Sequence, residues 1–167
     1  MIKTDTIIAL ATPPGIGAIS VIRLSGKDSI MISNSLFKPV NNVELINQTT
    51  HTISLGYIID SSIILDKVLI SVFKAPKSYT GENIVEISCH GSVFIQQKII
   101  DLFTVNGCRL ADPGEFTLRA FLNGKMDLSQ AESVADLISS TSESSHKIAM
   151  DHMRGGFSND IKLLREE

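Results

Sequence analysis

The sequence predicts an α+β fold, a mixed or largely antiparallel sheet with flanking helices that leads into the start of a helical domain. Three observations carry this. Short apolar runs bounded by turn residues fill the chain as far as Leu110, many of them alternating with period two. Helical patterns interrupt these runs only twice, whereas a βαβ repeat would place one between successive strands. After Leu110 the texture changes to helical stripes opened by capping signals.

Thr6 to Ala11 and Ala18 to Leu24 are strand-length runs, separated by Thr12-Pro13-Pro14-Gly15-Ile16-Gly17 and closed by Ser25-Gly26. Asp28 to Phe37 predicts a short helix before Pro39, and the Asn-rich stretch Val40 to Gln48 predicts a surface loop. Ile53, Leu55, Tyr57 and Ile59 alternate, Asp60-Ser61-Ser62 makes a turn, and Val68, Ile70 and Val72 alternate again, which predicts a hairpin. The loop Ala75-Pro76-Lys77-Ser78-Tyr79-Thr80-Gly81 precedes a further strand, Asn83 to Cys89. Ser92 is placed to cap a helix with the stripe Ile95, Ile99 and Leu102, stopped by Asn106-Gly107.

Asp112-Pro113-Gly114-Glu115 reads as a capping box opening a helix that runs to Asn123 and ends at Gly124. Ser129-Gln130-Ala131-Glu132 reads as a second box, and Val134, Ile138, Ile148, Ala149 and Met153 predict one long helix beyond it, interrupted at Gly155-Gly156. Arg165-Glu166-Glu167 carries no stop signal, from which a chain cut within a helix is expected.

At 167 residues the chain is long enough for one domain with a core and a modest extra segment. The net charge is -3 and no run of Lys and Arg is dense enough for a phosphate backbone, so any RNA partner finds its main electrostatic footprint elsewhere. No apolar run approaches the roughly 20 residues that span a bilayer. Cys89 and Cys108 do not form a CxxC pair, and reduced, buried thiols in a cytoplasm are expected.

Several residues have both a plain and a functional reading. Gly15-Ile16-Gly17 is a tight turn or a backbone nest for an anion. Glu86, on one strand face with Ile84 and Ser88, is either a solvent-facing residue or a carboxylate that accepts two bonds from a planar donor pair. Arg23 at a strand end is a solvated charge or a ligand contact. Lys125, after Gly124, suits the helix dipole without any ligand. Adjacent Cys89 and His90 point to opposite faces, so they do not chelate one metal. Neither Gly26-Lys27 nor Gly124-Lys125 completes the phosphate loop GxxxxGK[ST].

Four stretches together resemble one family. They are Asp5-Thr6-Ile7 with Ala11-Thr12-Pro13-Pro14-Gly15; Val21-Ile22-Arg23-Leu24-Ser25-Gly26; Ser78-Tyr79-Thr80-Gly81-Glu82 with Glu86 and His90-Gly91; and the long run Pro113 to Leu128, continuing through Gln130-Ala131-Glu132 and Ala135-Asp136-Leu137-Ile138. This is similar to the N-terminal region of the MnmE (TrmE) family of tRNA-modification GTPases. Ile16, Ser92 and Asp112 depart from the family's pattern.

The resemblance implies a folate-binding and dimerisation domain over residues 1–120, similar to the tetrahydrofolate-binding domain of aminomethyltransferases. Residues 121–167 would begin a helical domain that, in such proteins, is interrupted by a GTPase module using GTP, Mg and K. It further implies binding of 5-formyltetrahydrofolate, a homodimer, and work on tRNA with the FAD-dependent MnmG (GidA) protein, adding an aminomethyl-type group at C5 of the wobble uridine. Carried over residue by residue, the folate contacts fall on Arg23, Glu86 and Lys125, with no catalytic residue and no metal site in this stretch. The alternatives are a stand-alone folate-dependent aminomethyltransferase and a purely structural dimerisation module.

Overall fold

A computed structural model describes residues 5–155. They form a mixed α+β arrangement that divides into two compact units, one ending at Pro113 and the other beginning at Gly114.

The first unit is built on a seven-stranded sheet. Its strands are β1 (Thr6–Leu10), β2 (Ile19–Ser25), β3 (Phe37–Pro39), β4 (Thr52–Asp60), β5 (Ile63–Phe73), β6 (Ile84–His90) and β7 (Cys108–Leu110), in the spatial order β3-β4-β5-β6-β2-β1-β7. Every neighbouring pair is antiparallel except β1 with β7. The expected hairpin is β4–β5, turning through Ser61 in the left-handed region at φ 56°. Two helices, α1 (Ser29–Leu36) and α2 (Val93–Val105), belong to this unit.

Strand alternation gives the sheet a dry face and an open one. Ile22 and Leu24, Val68, Ile70 and Val72, and Val85, Ile87 and Cys89 are buried in one cluster with Ile99 and Phe103 of α2 and Ile30 and Leu36 of α1. Each such side chain contributes about 1.5–3 kcal/mol by leaving water. Of the expected stripe on α2, Ile99 is fully buried while Ile95 and Leu102 pack at the cluster's edge, and Phe103 completes the contact.

The alternating residues of β4 fall on the open face. Ile53 and Leu55 are 67% and 42% exposed, and Leu69 opposite Leu55 on β5 is 46% exposed. The core side of β4 carries Ser54, Gly56 and Ile58, and space is short at the middle of the three. A side chain at Gly56 would collide with the Phe37 ring and the Lys38 carbonyl.

The stretch Val40 to Gln48, expected as a surface loop, is anchored in the core. Leu45 is fully buried in a short 3-10 turn, Leu45–Asn47. Its N–H donates to Asn34 Oδ1 at 2.8 Å, and Gln48 Nε2 donates to Ser54 Oγ. The polar composition of the segment thus serves local hydrogen bonds around one apolar anchor.

The second unit contains α3 (Glu115–Leu122), α4 (Leu128–Ser139) and α5 (Glu143–Met153). The Asp112 capping box does not form. Gly114 is the N-cap of α3 in the left-handed conformation, φ 74°, and Glu115 is engaged one turn ahead by Arg119 in a buried pair at 3.0 Å. The second box is shifted by two residues from the expected one, with Asp127 and Gln130 exchanging the bonds. The expected long helix is two helices. Ser140-Thr141-Ser142 breaks it, and Ser142 with Ser145 forms a new box that restarts α5. Ile138 and Ile148 of the apolar stripe are 82% and 59% exposed. Helix α5 ends at Met153, just ahead of Gly155 at φ 84°, the first of the two glycines expected to interrupt it; Gly156 and the chain-end signal at residues 165–167 lie outside the described residues. Among the described residues no helix is long and apolar enough to cross a membrane.

Candidate functional site

β2 and β6 run antiparallel with Arg23 directly opposite Glu86. Both side chains rise from the open face, and both Nε and Nη2 of Arg23 donate to Glu86 Oε1, at 2.8 and 2.7 Å. The side chains are 28% and 25% exposed, so the pair is half out of water and open to a ligand from above. An opposed charge pair of this kind also favours this strand register.

A tied-down loop frames the pair. The segment between β5 and β6 contains a cis Ala75–Pro76 bond and is held by its own polar side chains. Ser25, at the end of β2, bonds Thr80 Oγ1 at 2.7 Å and donates to Glu82 Oε2 at 2.7 Å, while the Glu82 N–H donates to Thr80 Oγ1. Ser78 Oγ donates to the Glu82 carbonyl, and the Ala75 N–H donates to Asn83 Oδ1. The Asn83 carbonyl in turn accepts from Gly26 N–H and Ser29 Oγ. These bonds hold Tyr79 with its ring centroid 5.4 Å from the Arg23 guanidinium carbon, a cation–π distance. A planar cation, a carboxylate and an aromatic ring therefore meet at one place.

Lys125 belongs to the second unit. It follows α3 in a Schellman closure, in which Gly124 at φ 68° donates to the Phe121 carbonyl and the Lys125 N–H donates to the Ala120 carbonyl at 2.8 Å. Its side chain is exposed.

The glycine turn is fixed from below. Gly17 N–H donates to the Gly91 carbonyl, Gly91 N–H donates to the Ala18 carbonyl, and Gln96 Nε2 donates to the Gly15 carbonyl at 3.0 Å. Any side chain at Gly91 would strike the Gly17 backbone. Ile16 at the tip is 93% exposed. The loop is a strand connection bolted to the start of α2.

Cys89 and His90 do point to opposite faces. Cys89 is buried in the core and burial pushes its thiol up to about 11, whereas the His90 side chain is 67% exposed. Cys108 is likewise buried, its thiol raised to about 12 mainly by desolvation. Among the described residues no three His, Cys, Asp or Glu side chains are grouped as a metal site.

Sequence reasoning missed three features here: Tyr79 as part of the site, the direct pairing of Arg23 with Glu86, and the buried Asp66, which grips His90. The only local signal was alternation, which already placed Glu86 and Ser88 on one face.

The profile of a family described as GTP-binding protein TrmE N-terminus matches residues 6–125, a span that contains Arg23, Tyr79, Glu86 and Lys125. The chain is 65% identical over 167 residues to the tRNA modification GTPase MnmE of Flavobacterium johnsoniae, covering 100% of this chain and 36% of that protein. It is 61% identical over 167 residues to the protein of the same name from Flavobacterium psychrophilum, with the same coverage. Against that of Bacteroides fragilis it is 52% identical over 164 residues, covering 98% of this chain and 35% of the relative. The chain thus spans about a third of the length of these relatives. With the family profile matching most of its length, this chain belongs to the TrmE N-terminal family and corresponds to the N-terminal region of tRNA-modification GTPases of the MnmE type.

Proposed function

We propose that this chain is the folate-binding and dimerising part of a tRNA-modification GTPase. In this reading the whole protein works in the cytoplasm with an FAD-dependent MnmG-type partner and adds an aminomethyl-type group to C5 of the wobble uridine, the carbon coming from tetrahydrofolate. GTP, with Mg and K, belongs to the GTPase module of the whole protein.

One observation carries the reading: the half-open Arg23–Glu86 pair beside Tyr79, inside the span matched by the family profile. The residues fit a reduced pterin. A pterin presents an amino group and a ring N–H side by side, and a carboxylate is the natural acceptor for such a donor pair. Arg23 orients that carboxylate and offers N–H groups to a carbonyl or an acidic group. Tyr79 provides a flat, apolar wall. Lys125 is the second cation of the reading, as the family resemblance implies. When bound, the folate supplies the one-carbon unit; the residues here bind and orient it.

The dimer in this reading is supported by apolar side chains left in water on the β4–β5 hairpin, Ile53 of β4 and Ile63 and Ile64 of β5, at 67%, 65% and 59% exposure. Calorimetric titration of the 167-residue chain with 5-formyltetrahydrofolate tests the binding, and sedimentation tests the dimer. Saturable binding that Arg23→Ala and Glu86→Gln both weaken is expected; a chain that takes up no folate ends the reading.

A further inference from the structure

At the end of β2 the open face of the sheet passes under a loop. Ser25 is two residues beyond Arg23 and so on the same face, and the ladder that sets Arg23 against Glu86 sets Ser25 against Ile84. Yet Ser25 is fully buried, as is Thr80 of the segment between β5 and β6, to which it is bonded.

The chemistry of these groups fixes which of them donates. A carboxylate only accepts, so the single hydroxyl proton of Ser25 goes to Glu82 Oε2 at 2.7 Å. Ser25 Oγ then accepts from the Thr80 hydroxyl, also at 2.7 Å. Thr80 Oγ1 in turn accepts from the Glu82 N–H at 3.2 Å. The bonds close a ring that leaves Glu82 through its backbone and returns to it through its carboxylate. All of them run the same way round, so each polarises the next.

Tyr79 is bracketed by this closure. Its neighbours Ser78 and Thr80 are both bonded to the Glu82 backbone, Ser78 at the carbonyl and Thr80 at the N–H. Gly81, at φ 79°, makes the turn that brings Glu82 back to them. The anchor on β2 is two residues from Arg23, whose guanidinium carbon lies 5.4 Å from the centre of the Tyr79 ring.

We infer that Ser25, Thr80 and Glu82 form a positioning device, closing on Glu82, that fixes the Tyr79 side chain over Arg23 before any ligand arrives. This rests on the folate reading above and concerns how that site is kept ready, not what it binds. The three residues act through Tyr79 and not on the ligand. A site whose aromatic wall is in place only part of the time binds in proportion to that fraction.

Thr80→Val keeps the buried shape but removes the hydroxyl, and with it the bonds to Ser25 and to the Glu82 N–H; Thr80→Ser keeps the hydroxyl. Calorimetric titration of the 167-residue chain with 5-formyltetrahydrofolate is expected to show Thr80→Val binding about tenfold more weakly and Thr80→Ser close to wild type. Adding Thr80→Val to Tyr79→Leu should cost almost nothing further, because no aromatic ring is then left to position. The chain has two tyrosines and no tryptophan, so in a Tyr57→Phe background the emission of Tyr79 is seen alone. Without ligand, Thr80→Val should make that emission more easily quenched by acrylamide and faster to depolarise. Should Thr80→Val not fold, Glu82→Met opens the same ring from a half-exposed position, with Glu82→Gln, which keeps an acceptor, as its control.

Thr80→Val binding as tightly as wild type overturns the inference, as does Tyr79 emission that it leaves unchanged. A loss that multiplies with that of Tyr79→Leu overturns it too, since the ring would then act by another route. In each of these cases binding that still depends on Glu86 leaves the folate reading standing. A wild type that takes up no folate, or binding indifferent to Glu86→Gln, sinks the folate reading and with it the site that the ring serves.

Discussion

Arg23 places both Nε and Nη2 on a single oxygen of Glu86, Oε1, although the two residues are 63 positions apart in the chain. They are exact cross-strand partners in the β2–β6 ladder, so the contact is set by the sheet register and not by loop geometry. Sliding one strand by one residue would turn its own member of the pair into the core and break the contact. The pair is therefore pre-positioned, and a ligand that engages it does not have to order it first.

Replacing Glu86 by Gln keeps the side chain's shape but trades the carboxylate for one acceptor and one donor. Two donors of a bound pterin would then compete for one acceptor, and each charge-assisted bond is worth about 1.5–3 kcal/mol. Affinity for 5-formyltetrahydrofolate should fall by at least roughly tenfold. The fold should persist, and with it the dimer proposed above, since no core packing changes at this position. Calorimetry with a circular-dichroism control checks this, and equal affinities would make Glu86 an ordinary strand residue.

Leu45 offers a test of how the first unit is held together. It is fully buried within a segment whose composition reads as solvent-exposed loop. Leu45→Ala should cost about 2–5 kcal/mol, the range for deleting a buried leucine side chain. Val43→Ala, two residues away at an exposed position, should change stability by less than about 0.5 kcal/mol. Urea unfolding of the two variants separates an anchored segment from a loose one; a small loss in Leu45→Ala would mean the site collapses at little cost.

What was legible in the sequence follows from range. The turn after β1, the β4–β5 hairpin, α2 and the stop at Gly124 are set by residues within a few positions of one another, and they appear where the pattern put them. Helix starts were harder, because the cap is decided by local backbone conformation. Gly114 in the left-handed region, not Asp112, is the N-cap of α3, and Asp127, not Ser129, caps α4. The break at Ser140-Thr141-Ser142 needed the Ser142–Ser145 exchange, which hydrophobic spacing does not register. At the site, alternation placed Glu86 on one strand face with Ser88, but its partner depended on which strand lies beside β6. Asp66 and His90 are 24 positions apart and meet for the same reason.

The sequence from Met1 to Glu167 contains no GxxxxGK[ST] loop, the backbone cradle with which P-loop GTPases hold a nucleotide's phosphates. This 167-residue chain should therefore neither bind nor hydrolyse GTP, with or without potassium. Fluorescent-nucleotide titration and phosphate release check it, using a preparation shown free of other GTPases. Turnover that co-purifies with the chain through successive columns would refute the expectation.

The two buried thiols make the fold sensitive to alkaline pH. Cys89 and Cys108 are raised from the ordinary value of 9.0 to about 11 and about 12, desolvation being the larger cause in both. Above pH 9 the unfolded chain loses these two protons while the folded chain keeps them, so the unfolded state binds fewer protons. Stability then falls with rising pH. The contribution is complete below about pH 9 and is lost progressively as pH climbs through about 11 to 12. Urea midpoints measured from pH 8 to 10.5 should decline more steeply for the wild type than for a Cys89→Ala, Cys108→Ala double variant. Native thiols should also react with a disulfide reagent far more slowly than unfolded ones, because only the thiolate is the nucleophile. Parallel pH profiles in the two proteins, together with rapid native labelling, would show that these sulfurs are not held neutral in the core.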